Sequence, residues 1–100
     1  MSAYCFFDVR EVTDRDKMEE YKSRVFKTVA DHGGRYVVLG GRVDAVEGEW
    51  KPVTPVLIEF PDMEAAYRWY NSEDYRELKE LRLTATKGDA VFMEGPVAVA

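Results

Sequence analysis

Two short segments leave this chain few architectures. AYCFFDV, residues 3–9, and TPVLIEF, residues 54–60, are aromatic or aliphatic at both odd and even positions. A strand sends successive side chains to opposite faces, so each segment is apolar on both sides. In the first, Cys5, Phe7 and Val9 oppose Tyr4, Phe6 and Asp8; in the second, Val56, Ile58 and Phe60 oppose Leu57 and Glu59. A sheet made of such strands needs cover on both faces, because a solvated face would alternate into polar residues. The chain has 100 residues. That suits one domain, residues 1–100, burying roughly 60 to 68 % of the surface its unfolded form exposes.

The remaining segments supply cover for one face. In VTDRDKMEEYKSRVFKTVADHGG, Thr13 or Asp14 can cap a helix whose first turns are acidic. Met18, Tyr21, Val25 and Val29 form its apolar stripe, with Phe26 at the edge. Gly33 and Gly34 end it, since a left-handed residue after the last turn suits glycine. Arg35–Gly41 reads as a second strand closed by a turn or bulge at Gly40 and Gly41, and residues 42–52 as an arm without clean alternation. After the third strand, Asp62 caps a helix lined by Met63, Ala66, Tyr67 and Tyr70. Asn71 and Ser72 interrupt it, and Ser72 caps a second piece lined by Tyr75, Leu78, Leu81 and Ala85 that Gly88 closes. DAVFME makes the last strand, and residues 95–100 an extended tail. The order β-α-β-β-α-β predicts an α+β, ferredoxin-like sandwich with both helical regions on one face. The other face, with Tyr4, Phe6, Leu57 and either Val91 and Met93 or Ala90 and Phe92, then calls for a second copy of the chain, a homodimer through sheet faces.

Charge narrows the partners. Fourteen basic and nineteen acidic side chains give a net −5 with no basic run, which argues against nucleic acid. The start lacks an export pattern and no stretch of eighteen apolar residues exists, so neither secretion nor a membrane is expected and the expected location is the cytoplasm. The single cysteine, Cys5, reads as a small buried hydrophobe.

Candidate chemistry is sparse. His32 is the one histidine; it sits at a helix end, where it can cap the helix or move a proton, and no HxH, HxxxH or HExxH spacing makes it a metal ligand. Asp8 and Glu59 are carboxylates in apolar strands, with Arg35, Arg82 and His32 as available partners. Arg35 follows the glycine pair and can hold a carboxylate in bidentate fashion. A phosphate loop is excluded, because the glycines follow a helix and precede a strand, the reverse of the dinucleotide order. Trp69, Tyr70, Asn71, Ser72 and Tyr75 form the densest amphipathic cluster; they either pack the broken helix on the sheet or wall an apolar ligand beside Asn71 and Ser72 donors.

GGRYVVLGG, EGEWKP, EFPDMEAAYRWYNSEDYRELKELR and the closing VFMEG, taken together, resemble the bacterial family called domain of unknown function 1330, DUF1330. The resemblance covers residues 4–95. It implies a subunit of the dimeric α+β barrel superfamily, which also contains small cofactorless monooxygenases, chlorite-dismutase-like haem proteins and muconolactone-isomerase-like enzymes. It implies no particular reaction, and marks Gly34, Arg35, Glu59, Trp69, Tyr70, Asn71, Ser72, Tyr75 and Arg82 as recurrent positions. Without an axial-ligand pattern around His32, no haem, other cofactor or metal is expected. The expectation is a homodimer binding a small, partly apolar organic anion. Arg35 and Arg82 would orient charge, Trp69, Tyr70 and Tyr75 would supply walls, Asn71 and Ser72 would donate, and His32 or Glu59 would move a proton in an isomerisation or a cofactor-independent oxygenation. A structural or regulatory dimer without a ligand is the alternative. Convergence of Arg35, Glu59 and Asn71 on an enclosed space would favour binding; a filled interior with those groups on outer surfaces would sink it.

Overall fold

The computed structural model describes residues 1–96. The chain runs β1 (Ser2–Val12), α1 (Arg15–Asp31), β2 (Arg35–Leu39), β3 (Pro55–Phe60), α2 (Met63–Tyr70), α3 (Glu73–Ala85) and β4 (Thr86–Gly95). The strands form one sheet in the order β2-β3-β1-β4, with every neighbouring pair antiparallel. The β1-α1-β2 unit therefore straddles β3, and the β3-helices-β4 unit straddles β1, which is the ferredoxin-like arrangement expected from element order.

Register assigns the faces. Cys5 lies opposite Ile58 and Phe92, and Phe7 opposite Val56 and Ala90, so this set faces the helices. Ala3, Cys5, Phe7, Ile58 and Phe60 are buried there beneath Trp69, Tyr75 and Leu78. Burial pushes the Cys5 thiol up to about 12, which keeps it uncharged and inert. Tyr4 lies opposite Glu59 and Met93, and Phe6 opposite Leu57 and Val91, on the face without helices. Of the two sets considered for the last strand, Val91 and Met93 are thus the ones on the open face.

The helix boundaries follow local chemistry. The Asp14 carboxylate accepts from Lys17 N–H, Asp62 from Ala65 N–H, and the Ser72 hydroxyl from Tyr75 N–H. Gly33 takes φ +82° after α1. Two expectations are corrected. The helix α3 stops at Ala85, not at Gly88, because the Ala85 carbonyl accepts from Thr13 and Asp14 N–H and the chain passes directly into β4. The α2 stripe is also rotated: Ala65, Ala66 and Trp69 are buried, while Tyr67 is half exposed and lies against Phe92. Residues 97–100 of the expected tail lie outside the described residues.

The arm, residues 40–54, has neither helix nor strand. Gly40 and Gly41, both at positive φ, turn it away from β2. It returns over the open face, where Trp50 lies on Phe6 with ring centroids 6.3 Å apart. The Asp8 carboxylate fixes its end by accepting from Val53 and Thr54 N–H, each at 2.9 Å. Among the described residues no helix is long and apolar enough to cross a membrane.

Candidate functional site

The helix α1 packs chiefly against α3 and not flat on the sheet beneath it. A cleft of about 440 Å³ is left between α1 and the helical face of β1, β2 and β3. Phe7, Val25, Tyr36, Leu39, Val56 and Ile58 form apolar walls, and the exposed Arg10, Glu11 and Lys22 stand at its rim. Volume and lining are those of a small-ligand pocket: mostly apolar, with a few polar groups.

One of those polar groups is anomalous. Arg82, from the last turns of α3, lines the cleft at only 9 % exposure, its guanidinium 5.0 Å from the Phe7 ring centroid. Its Nε donates to Tyr75 Oη at 3.3 Å, but Nη2 is buried without a partner. Among the described residues no carboxylate pairs with this cation, although nine ion pairs form elsewhere. A buried, unsatisfied charge is costly, and native proteins seldom keep one without a use. Burial disfavours the charge while the hydrogen bond to Tyr75 favours it, and the net direction is a pKa above the ordinary value.

The neighbouring hydroxyls stay neutral. Burial raises the Tyr21 pKa well above its usual value, helped by Tyr75, and burial likewise raises those of Tyr75 and Tyr36. Tyr21 and Tyr75 share a hydrogen bond of 2.9 Å. The interior of the cleft thus offers a fixed cation and neutral hydroxyls but no carboxylate or imidazole. Such a set binds an anion or a carbonyl oxygen; it does not supply a base.

Residues expected at a site are divided among three places. Arg82 lines the cleft, and Tyr75 lies just behind it. Trp69 is fully buried, donates from Nε1 to Thr28 Oγ1 at 3.0 Å and stacks near Tyr75, with centroids 4.2 Å apart. Tyr70 closes that cluster, with Lys79 4.2 Å above its ring. Ser72 caps α3, and Asn71, exposed, ends α2. His32 ends α1 with Nδ1 donating to the Thr28 carbonyl at 2.8 Å. Glu59 and Arg35 face the other way: on the open sheet face Arg35 Nε donates to Glu59 Oε1 at 2.7 Å, and the Tyr4 hydroxyl donates to Glu59 Oε2 at 3.0 Å. Ser2, Tyr4 and Arg35 together hold the Glu59 carboxyl below its usual range.

Arg35, Glu59 and Asn71 therefore do not converge on an enclosed space, while the cleft under α1 leaves the interior unfilled. Strand alternation sends the first two through to the far side of the sheet, and the third caps a surface helix end. Asp8, too, meets backbone N–H groups and not Arg35, Arg82 or His32. Tyr21 and Tyr36 line the cleft without having been singled out. The only sequence signal for Tyr21 is that it alone brings a hydroxyl to the apolar stripe of α1.

Comparison with solved structures places this geometry among known folds. The RPA0582 protein of Rhodopseudomonas palustris superposes with a TM-score of 0.71 at 16 % identity, covering 97 % of this chain and 84 % of that one. A protein from Jannaschia sp. CCS1, described as dimeric, ferredoxin-like and of unknown function, gives a TM-score of 0.69 at 12 % identity over 95 % and 100 % of the two chains. SnoaB of Streptomyces nogalater, described as a cofactor-independent oxygenase, gives 0.54 at 12 % identity over 98 % and 94 %. At these identities the likeness concerns the fold. No curated protein matches the sequence. The profile of the family described as Domain of unknown function (DUF1330) matches residues 2–96, and the chain belongs to that family.

Proposed function

We propose that this protein is a homodimer whose subunits each bind one small, partly apolar organic anion in the cleft under α1, with Arg82 as the partner of the anionic group. The carrying observation is that Arg82, whose Nη2 is buried without a partner, lines an apolar cavity. An entering carboxylate or phenolate gives that nitrogen its missing acceptor and neutralises a charge the fold leaves unpaired. The walls set the rest of the ligand: hydrocarbon or aromatic, of a size that about 440 Å³ admits. Dimerisation rests on the apolar open face of the sheet and on the fold shared with a protein described as dimeric.

Chemistry beyond binding would act on the bound anion. Neither His32 nor Glu59 lines the cleft, so an isomerisation driven by either has no base beside the ligand. A cofactor-independent oxygenation asks only that an electron-rich anion be held in an apolar cavity, and the fold shared with SnoaB favours it as the second reading.

Isothermal titration with 2-naphthoate and its uncharged counterpart 2-naphthamide tests the binding claim. Naphthoate is expected to bind about tenfold or more tightly than the amide, because hydrogen bonds to charged groups are worth more than neutral ones, and Arg82→Met should erase the difference. Equal affinities, or no naphthoate binding tighter than about 1 mM, about −4 kcal/mol, would remove the proposal and leave a dimer without a ligand.

A further inference from the structure

The hydrogen bonds behind Arg82 have a direction, and that direction says how a ligand is held. Arginine only donates, so Tyr75 Oη accepts from Arg82 Nε. In the bond between Tyr75 and Tyr21 either oxygen can be the donor. If Tyr21 donated, the Tyr75 proton would need another acceptor, and among the described residues none lies within reach of that fully buried hydroxyl. A buried, unpaired O–H is costly, so Tyr75 donates to Tyr21. The Tyr21 proton is then free, and Tyr21, unlike Tyr75, lines the cleft.

The geometry points to a two-donor fork, Arg82 Nη2–H and Tyr21 Oη–H, that takes a monocarboxylate head-in with one oxygen on each donor. This rests on the binding reading above and goes further: it names the ligand class and makes Tyr21 the residue that selects it. Both residues are about nine-tenths buried, at 9 % exposure each, and among the described residues Arg82 Nη2 has no hydrogen-bond partner and Tyr21 Oη has none besides Tyr75. The carboxylate therefore sits at the inner end, against α3, with its hydrocarbon body along Phe7, Val25 and Ile58. A ligand with one acceptor oxygen, such as a phenolate, would satisfy Arg82 and leave the Tyr21 proton idle. Tyr75 is a positioning residue; it orients the Tyr21 hydroxyl without meeting the ligand.

Titration of wild type, Tyr21→Phe and Tyr75→Phe with 2-naphthoate, 2-naphtholate at a pH where it is ionised, and 2-naphthamide separates the outcomes. For Tyr21→Phe, naphthoate affinity should fall about tenfold or more, the effect of one hydrogen bond to a charged group, while affinity for naphtholate changes little. A general loss of packing would weaken all three ligands together. Tyr75→Phe should reduce the preference for naphthoate over naphtholate in the same direction by a smaller factor, and circular dichroism of both variants checks that they fold. If naphthoate binds, depends on Arg82, and is indifferent to Tyr21→Phe, the fork is wrong and the binding reading stands. If naphthoate does not bind wild type at all, both fall.

Discussion

Glu59, in strand β3, and Arg82, in helix α3, are opposite solutions to holding a charge in apolar surroundings. Glu59 accepts from Tyr4 and Arg35, and Ser2 joins them in lowering its pKa below the ordinary 4.5. A carboxyl whose folded pKa is depressed stabilises the fold above its unfolded pKa, and that contribution disappears as pH falls through the folded value. Wild type should therefore exceed Glu59→Gln in stability at pH 6 to 7, with the gap closing as the pH drops below about 4.5, as read from urea midpoints across that range. A gap that persists unchanged at pH 3 would mean that packing, not charge, is what Glu59 contributes. Arg82 has no carboxylate partner among the described residues, and its Nη2 is buried without any. In the sequence Glu59 stood out as a carboxylate in an apolar strand and Arg82 as one available partner for it, because local pattern fixes which face a residue occupies but not what stands opposite. Tyr21 was harder still. Its spacing with Met18, Val25 and Val29 reads as core, and its role depends on Tyr75, 54 positions further along.

At the scale of elements, caps were legible and the end of α3 was not. Asp14, Asp62 and Ser72 carry their own acceptors to the helix starts, so residue type and position pointed to Asp62 and Ser72 and narrowed the first cap to Thr13 or Asp14, of which the structure uses Asp14. The end of α3 is set by β1, whose following residues Thr13 and Asp14 donate to the Ala85 carbonyl across the fold. Gly88 then has a different task from closing a helix. It lies within β4 opposite Val9, beside the register shift between Val9 and Glu11, and a Cβ there would stand 2.1 Å from the Asp8 carbonyl oxygen. A backbone atom cannot step aside as a side chain can. Gly88→Ala should cost about 1 to 3 kcal/mol, the range for overpacking, measured by urea denaturation. It should also loosen the β1–β4 ladder near Asp8, visible as faster amide exchange at residues 7–9. A substitution within 0.5 kcal/mol of neutral would show that β1 and β4 part there more easily than their register implies.

For the molecule as a whole, apolarity on both faces of β1 and β3 carried the architecture, since one layer of helices can satisfy one face only. Val91 and Met93 remain 50 % and 45 % exposed on the other. Four strands about 4.8 Å apart and six residues long span roughly 400 Å² in plan, against about 800 Å² of accessible surface per partner in a stable dimer. Relief of the surface narrows that gap, and the arm extends the face with Val46, Trp50 and Val53, all well exposed. Its anchorage through Asp8 holds it in place for the purpose. A two-fold pairing would set this face against its own copy, with the Arg35–Glu59 pair toward the β2 side, hydrocarbon from Phe6 and Leu57 at the centre, and Val91 and Met93 toward the β4 edge. Sedimentation velocity at about 50 µM, well above the Kd expected of a standard-size interface, should then show a dimer. The pair Val91→Lys and Met93→Lys should give monomers with unchanged helix and strand content, since both side chains point away from the core and two charges would have to be buried in the pairing face. Trp50→Ala should weaken the dimer without abolishing it. Because the cleft under α1 opens on the opposite side of the sheet, the monomeric double variant should still bind naphthoate. A wild-type monomer at that concentration would leave the open face to water and return the question to why two strands carry so much hydrocarbon there.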